Sequence, residues 1–259
     1  MSNFISNSSR KHFIPWLLPV TLIVSWQVSA ELGWLSTRVL PAPSEVLKAG
    51  VQLALSGELY HHFLASTRRA LAGLFIGGSI GLLLGMLTGM SRLAQSLLDS
   101  TIQMVRNMPL LALVPLVILW FGIGEEGKLF LVALAVFFPI YLNTFHGLRS
   151  VDKDLIEMGR VYGLGGFALF REVILPGALP SILVGLRMSL GYMWLFLVVA
   201  ETIASSEGIG YMTMNAREFM QTDVMVLGIA IYALLGKISD VLAGLMERRW
   251  LKWHTGYGI

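Results

Sequence analysis

The chain has 259 residues, of which 55% are hydrophobic and only 14% charged. A soluble globular domain carries about 25% charged residues, and a disordered chain carries more charge still, so both classes are excluded as defaults. Cysteine is absent, which removes disulfides, iron–sulfur clusters and thiolate zinc sites, and a formal charge of +3 is too small to indicate nucleic acid as a partner.

Apolar runs of about 20 residues read as membrane spans. Taken in chain order they fall at 13–30, 71–90, 107–124, 129–146, 183–204 and 224–245. The fold class expected is therefore all-α: a polytopic membrane protein with six transmembrane helices in a single domain over 1–259. The third run carries Pro109 and Pro115 and the fourth Pro139, residues that membrane helices tolerate where neighbours re-satisfy the freed carbonyls. Six spans place both termini on one side. With a cytoplasmic N-terminus, twelve Lys and Arg fall inside, Arg10 and Lys11 first among them. Six fall outside: Arg38, Lys48, Arg68, Arg69, Lys128 and Arg217. The bias favours cytoplasmic termini, with Arg68 and Arg69 as exceptions expected at a protein-lined surface. Val28-Ser29-Ala30 offers a rival reading of the first run as a cleaved signal segment, which the length of the run and the early Pro15 and Pro19 disfavour.

Gly73, Gly77, Gly81, Gly85 and Gly89 recur every four residues, with Gly78 beside them. That stripe keeps one helix face small, so a second helix backbone can approach it, and intramolecular packing is the expected use ahead of a dimer contact. In the fifth run, Arg187 and Glu201 are fourteen residues apart, roughly 21 Å along a helix, less than a hydrocarbon core of about 30 Å. Arg187 can snorkel, but Glu201 is short, and an ionisable residue at membrane depth marks either a functional site or a structural carboxylate held by a helix end. Lys237 and Asp240, three apart, read as a local ion pair.

The linker 147–180 differs from the others. Asp152 or Asp154 can cap a short helix ending near Arg160 or Tyr162 with Gly163 as its stop, and 167–173 reads as a second short helix ended by Pro176. The apolar Tyr162, Leu164, Phe167, Leu169 and Phe170 suit a docking surface.

Motifs of catalysis are missing. Gly122 to Lys128 has GxxxxGK spacing, but Leu129 replaces the magnesium-binding Ser or Thr, two glutamates occupy the loop, and no strand is expected before it. His12, His61, His62, His146 and His254 form no HExxH pattern, so no metal site is expected, and no nucleophile elbow is present.

Glu157-Met158-Gly159, then Gly163, then Val173, Leu175 and Pro176 keep the spacing of the EAA motif, E-A-A-x3-G-x9-I-x-L-P. The chain thereby resembles the permease subunits of bacterial ATP-binding-cassette importers. The similarity extends through Gly33 to Arg38, Leu119 to Ile123, Ile174 to Pro180, Ala200 to Ile203 and Gly208 to Tyr211 to the nitrate, sulfonate and taurine branch. Asn215 to Phe219 and Gln221 to Asp223 are similar to the aliphatic sulfonate permeases within it, with taurine, nitrate or another small organic ligand as the alternative substrates.

The resemblance implies a type I importer fold in the bacterial inner membrane and a homodimer with a second copy of the chain. It also implies a cytoplasmic ATPase homodimer docked on a coupling helix at 147–180, and a periplasmic substrate-binding protein at the outer face. ATP would be used by the partner, leaving this chain no cofactor and no enzymatic activity. For a sulfonate anion, Asn143, Asn215 and Arg217 are the candidate donors along the path, and Glu201 is the candidate gate or structural carboxylate.

Overall fold

The structure is a computed structural model that describes residues 3–253, with side chains from residue 17 onward except at 204. The side chains of Arg10 and Lys11, the start of the first apolar run, and His12 and His254 lie outside the described residues. Among those described, the chain is built of helices joined by short turns. These are α1 (Asn3–Glu31), α2 (Pro43–Ser56), α3 (Glu58–Met90), α4 (Arg92–Arg106), α5 (Val114–Phe121), α6 (Glu125–Arg149), α7 (Lys153–Val161), α8 (Gly166–Leu169), α9 (Leu175–Ala204), α10 (Ile209–Glu218) and α11 (Thr222–Trp250). Two compact units are formed, one from 1–62 and 212–231, the other from 63–211 and 232–259.

Among the described residues, four helical stretches are long and apolar enough to cross a membrane: Glu58–Met90, Glu125–Arg149, Gly166–Ile203 and Thr222–Trp250. They contain the second, fourth and sixth expected runs and all but the last residue of the fifth. The apolar helix Leu17–Glu31 covers most of the first. The third run is corrected: 107–124 is not one helix. It breaks into a 3₁₀ turn, Leu110–Leu113, and the eight-residue α5, and together these lie at 85° to α4. Pro109 itself takes extended backbone (φ −63°, ψ 109°) ahead of the 3₁₀ turn, Pro115 fits only the first turn of a new helix, and Gly122 at φ 72° ends that helix. With the bent pair counted as one span, the long candidates number five.

In the larger unit, α6 is the helix around which the others close. Its buried positions include Val132, Val136, Tyr141 and Thr144. The glycine stripe of α3 lies against it. A Cβ added at Gly77 would overlap the Ala133 carbonyl, and one at Gly81 would stand 2.7 Å from the Phe137 carbonyl oxygen. One at Gly85 would be 2.7 Å from the Thr144 side chain, and one at Gly89 would be 2.9 Å from Leu148. The stripe is thus spent within the chain. From α9, Gly185 approaches the Pro139 carbonyl and Asn143, and Gly147 of α6 leaves room for Ser181 and the Ala178 carbonyl. Ser181 Oγ donates to the Asn143 carbonyl (2.8 Å) and Ser189 Oγ to the Val136 carbonyl (3.0 Å). Small residues and hydroxyls are what bring helices together in lipid, where apolar burial alone gives no preference for protein over acyl chain.

In the smaller unit, Gln27 ties α1 to α2, donating to Ser44 Oγ and accepting from the Ser44 amide, both at 3.1 Å. Pro43 and Glu45 begin α2, the glutamate accepting from the Ala42 amide (3.1 Å), and Gly57 at φ 83° ends it.

Replacing Gly77 by Val should lower the thermal unfolding midpoint of the detergent-solubilised protein by the equivalent of about 2 kcal/mol or more, because an overpacked interface cannot relax around a backbone carbonyl. Gly191, also helical but with open space around it, should accept Ala with no loss or a small gain.

Candidate functional site

The two ends of α6 carry the polar features of the larger unit. They are separated by twenty-four residues, roughly 36 Å, which exceeds a hydrocarbon core.

At the C-terminal end of α6 lies the segment 147–180. Asp152 caps α7, its carboxylate accepting from the Asp154 amide (3.0 Å). Gly163 at φ 85° stops the helix in a Schellman turn. The Gly163 amide donates to Arg160 (2.9 Å) and the Leu164 amide to the Gly159 carbonyl (3.0 Å). Gly159 is buried, and a Cβ there would stand 2.8 Å from Leu169 and 3.2 Å from Val173, so a small residue at this motif position is what lets α7 rest on the next helix.

The expected break at Pro176 is corrected. After α8 comes a π turn, Phe170–Ile174, in which the Leu175 amide donates to the Phe170 carbonyl, and the chain runs on unbroken into α9. The widened turn ends where Pro176 stands, in the first turn of α9, so no α-ladder bond is asked of its missing N–H. Val151, Leu148 and Ala178 form a buried cluster joined by Ile156, Ile174, Ile182 and Met86, which fixes this segment to α3, α6 and α9. Its other face is open. Met158, Val161, Tyr162 and Phe167 are exposed by half or more, and Glu157 stands among them.

At the N-terminal end of α6, Arg69 is 4% exposed and spends all five guanidinium N–H groups. It holds Glu125 bidentately (2.6 and 2.8 Å), Glu201 (2.9 Å), and both the backbone carbonyl and the carboxylate of Glu207 (2.8 and 3.0 Å). Glu201 is wholly enclosed. It accepts from Ser66 Oγ (2.8 Å), the Gly210 amide (2.9 Å) and Tyr232 Oη (3.0 Å) as well as Arg69. Ser66 Oγ in turn accepts from the Ile209 amide (2.8 Å). The carboxylate therefore sits at the start of α10, where free amides and the helix dipole favour an anion. Gly208 and Gly210 allow the approach, since a Cβ at Gly208 would overlap the Glu201 carboxylate. Lys128 bonds Glu125 (2.7 Å) and Ser205 (3.2 Å), and Ser205 bonds the Glu207 carbonyl. The GxxxxGK spacing is thus a helix start whose lysine is occupied, preceded by α5 and not by a strand.

The other candidate residues separate. Asn143 lines a cleft between the α4–α5 bend, α6 and α9, one Nδ2–H donating to Pro139 (2.8 Å). Asn215, half-buried, and Arg217, exposed, are on the part of α10 that belongs to the smaller unit. Arg187 is not left to snorkel: it bonds Asp240 (2.6 Å) and Glu247 (3.2 Å) of α11, and Lys237 meets Asp240 at 3.5 Å as expected. Among the described residues no group of His, Asp and Glu could hold a metal. The Arg69–Glu201 pairing was not read from the sequence. Its two signals, an arginine pair against the positive-inside bias and a short carboxylate within a span, stood 132 residues apart.

Arg69→Met should destabilise the fold by about 3–5 kcal/mol, since it leaves Glu201 buried without its cation. Arg69→Met with Glu201→Leu should cost less than the sum of the two single changes. A double-mutant cycle on thermal unfolding measures the difference.

Residues 78–252 match the family described as the binding-protein-dependent transport system inner membrane component. The chain is 59% identical over 245 residues to a protein of Escherichia coli K12 named as an aliphatic sulfonates transport permease, SsuC, covering 95% of this chain and 93% of that one. It is 47% identical to the Bacillus subtilis 168 protein of the same name, over 93% of this chain and 87% of that one. It is 38% identical to the E. coli K12 taurine transport system permease TauC, over 92% and 88%. A solved amino acid ABC transporter shares the fold, with a TM-score of 0.57 at 20% identity over 78% of this chain and 96% of that one. The methionine ABC transporter MetNI does so at 0.51 and 18%, over 68% and 91%. With its several apolar spans, this multi-pass chain belongs to the family of binding-protein-dependent transport inner membrane components, the permease subunits of ABC importers, which are not themselves enzymes.

Proposed function

We propose that the chain is the membrane-spanning subunit of an ATP-driven importer that carries aliphatic sulfonates across the bacterial inner membrane. The observation that carries the substrate is the similarity over nearly the whole chain to two proteins named for aliphatic sulfonates, at 59% and 47% identity, against 38% for the taurine relative. On this reading 1–259 acts as one permease with six spans: α1, α3, the bent α4–α5 pair, α6, α9 and α11. Both termini are cytoplasmic.

Two copies pair around a central path. A cytoplasmic ATPase homodimer, which binds the ATP, docks on 147–180, and a periplasmic binding protein delivers the ligand. Glu157, Met158 and Gly159 of α7, with Gly163, Val173, Leu175 and Pro176, form the docking element. The exposed Met158, Val161, Tyr162 and Phe167 support that assignment, as does the buried cluster that fastens the element to three helices of the larger unit. ATPase closure then moves a rigid piece, and alternating access follows if the bundle has two arrangements that both nucleotide and ligand bias. Glu201 serves as a structural or gating carboxylate in its sealed network. Asn143, Asn215 and Arg217 offer donors to the anion, and Arg217→Glu should lower its uptake.

A strain lacking the gene should grow on sulfate and fail on alkanesulfonates as sole sulfur source, with rescue by the gene. Normal growth on all sources, in a strain with no second sulfonate importer, would overturn the substrate. Glu157→Arg and Gly163→Trp should each abolish co-purification of the ATPase, the second because its left-handed backbone strains any side chain. Retained binding by both would place the docking site elsewhere.

A further inference from the structure

We infer that the cleft between the α4–α5 bend, α6 and α9 binds the anion itself, and that it selects a plain alkyl chain over one that ends in an ammonium group. The inference rests on the sulfonate reading and names the site for it within the membrane subunit.

The cleft has a volume of about 470 Å³, within the range of about 300–1,000 Å³ usual for small-molecule sites. Its walls include Leu110, Leu111, Phe138, Leu142, Met188 and Phe196, and between them stand three residues with donors, Arg106, Asn143 and Tyr192. An apolar lining with a few polar groups is the usual form of a ligand site between helices. The Arg106 side chain is exposed and makes no ion pair among the described residues. Asn143 keeps its second Nδ2–H after bonding Pro139. A sulfonate is a permanent anion with three acceptor oxygens, and a guanidinium fork and an amide N–H lining one cleft are donors suited to such a group.

Chain selection follows from what the lining lacks. None of the twelve lining residues is acidic. An alkyl tail can leave water against the Phe138, Leu142 and Met188 side chains. An ammonium at the end of that tail would lose its hydration there with no carboxylate to meet it, which is costly. Nitrate or sulfate would use the donors and leave the apolar wall idle.

The test uses the permease–ATPase complex in nanodiscs without the binding protein, and reads equilibrium binding of radiolabelled pentanesulfonate, methanesulfonate and taurine. Wild type should bind pentanesulfonate most tightly and taurine least. Met188→Trp, at a position 46% exposed, should weaken pentanesulfonate about tenfold and methanesulfonate much less, because it fills the wall and spares the donors. Leu111→Trp does the same from the other side should the first variant fail to assemble.

Arg106→Gln should weaken both alkanesulfonates about tenfold, and Arg106→Lys should restore most of the loss. Leu111→Asp should narrow the gap between taurine and pentanesulfonate. Equal loss of every ligand in the tryptophan variants, or no binding to the wild-type complex, would overturn the site. Uptake into proteoliposomes with the binding protein present separates the two levels. Uptake of alkanesulfonates by a complex that shows no cleft binding would remove this site and leave the sulfonate reading intact. Absence of any uptake would remove that reading itself.

Discussion

The structure of the larger unit depends on backbone reaching backbone at α6. Gly77 and Gly81 bring α3 to carbonyls of that helix, and Gly185 with Ser181 and Ser189 brings α9 to others. In water such contacts would be a detail of an apolar core. In lipid they are the source of association, because the surroundings are as apolar as the helices and only closer van der Waals approach and hydrogen bonds favour protein over lipid. A side chain added to the stripe would push α3 off its neighbour. The positions of everything attached to these helices are set by that approach.

What is attached differs at the two ends of α6. At one end five donors of a single guanidinium are matched to three glutamates, and a second cation, Lys128, shares one of them. A buried ion of this kind adds little net stability compared with an apolar replacement, but half of it cannot be removed cheaply. Its consequence is geometric: α3, α9, α11 and the start of α10 meet at one carboxylate, Glu201, which accepts from four donors, and α6 joins through Glu125 on Arg69. At the other end the segment 147–180 is held by apolar packing on its inner side and presents aromatic and aliphatic side chains outward. On the proposed function, the partner that supplies energy pushes on that face, and the pieces are fastened tightly enough for the push to travel.

Much of this was legible in the sequence where the signal was local. Asp152 and Gly163 bracket α7 as caps do, and the stripe of glycines turned to a neighbouring helix of the same chain. Proline was harder to read. Pro139 and Pro180 stay inside helices, Pro109 and Pro115 break a run that composition alone presents as a span, and Pro176 opens a helix it was expected to close. The ring is the same in each case, and what differs is whether the missing N–H falls in a first turn, where no ladder bond is asked of it, as at Pro115 and Pro176, or within a helix that continues past it, as at Pro139 and Pro180. Arg69 and Glu201 could not be paired from sequence, because nothing in spacing tells which buried charge meets which across 132 residues. The donors proposed for the path do not gather in one unit: Asn143 lines a cleft of the larger unit, while Asn215 and Arg217 belong to the smaller one, since a residue type suited to an anion does not say where it will stand.

The proposed mechanism needs the docking segment and the α3–α6–α9 core to move as one body. The chain has no cysteine, so two spin labels can be placed at Val161→Cys on α7 and Leu83→Cys on α3, both exposed, with labelled copies diluted among unlabelled ones. The distance between them within a copy should be the same in the nucleotide-free and ATP-bound complex during active transport. A change of several ångströms would contradict the rigid connection and require that the docking element swing independently of the helices that form the path.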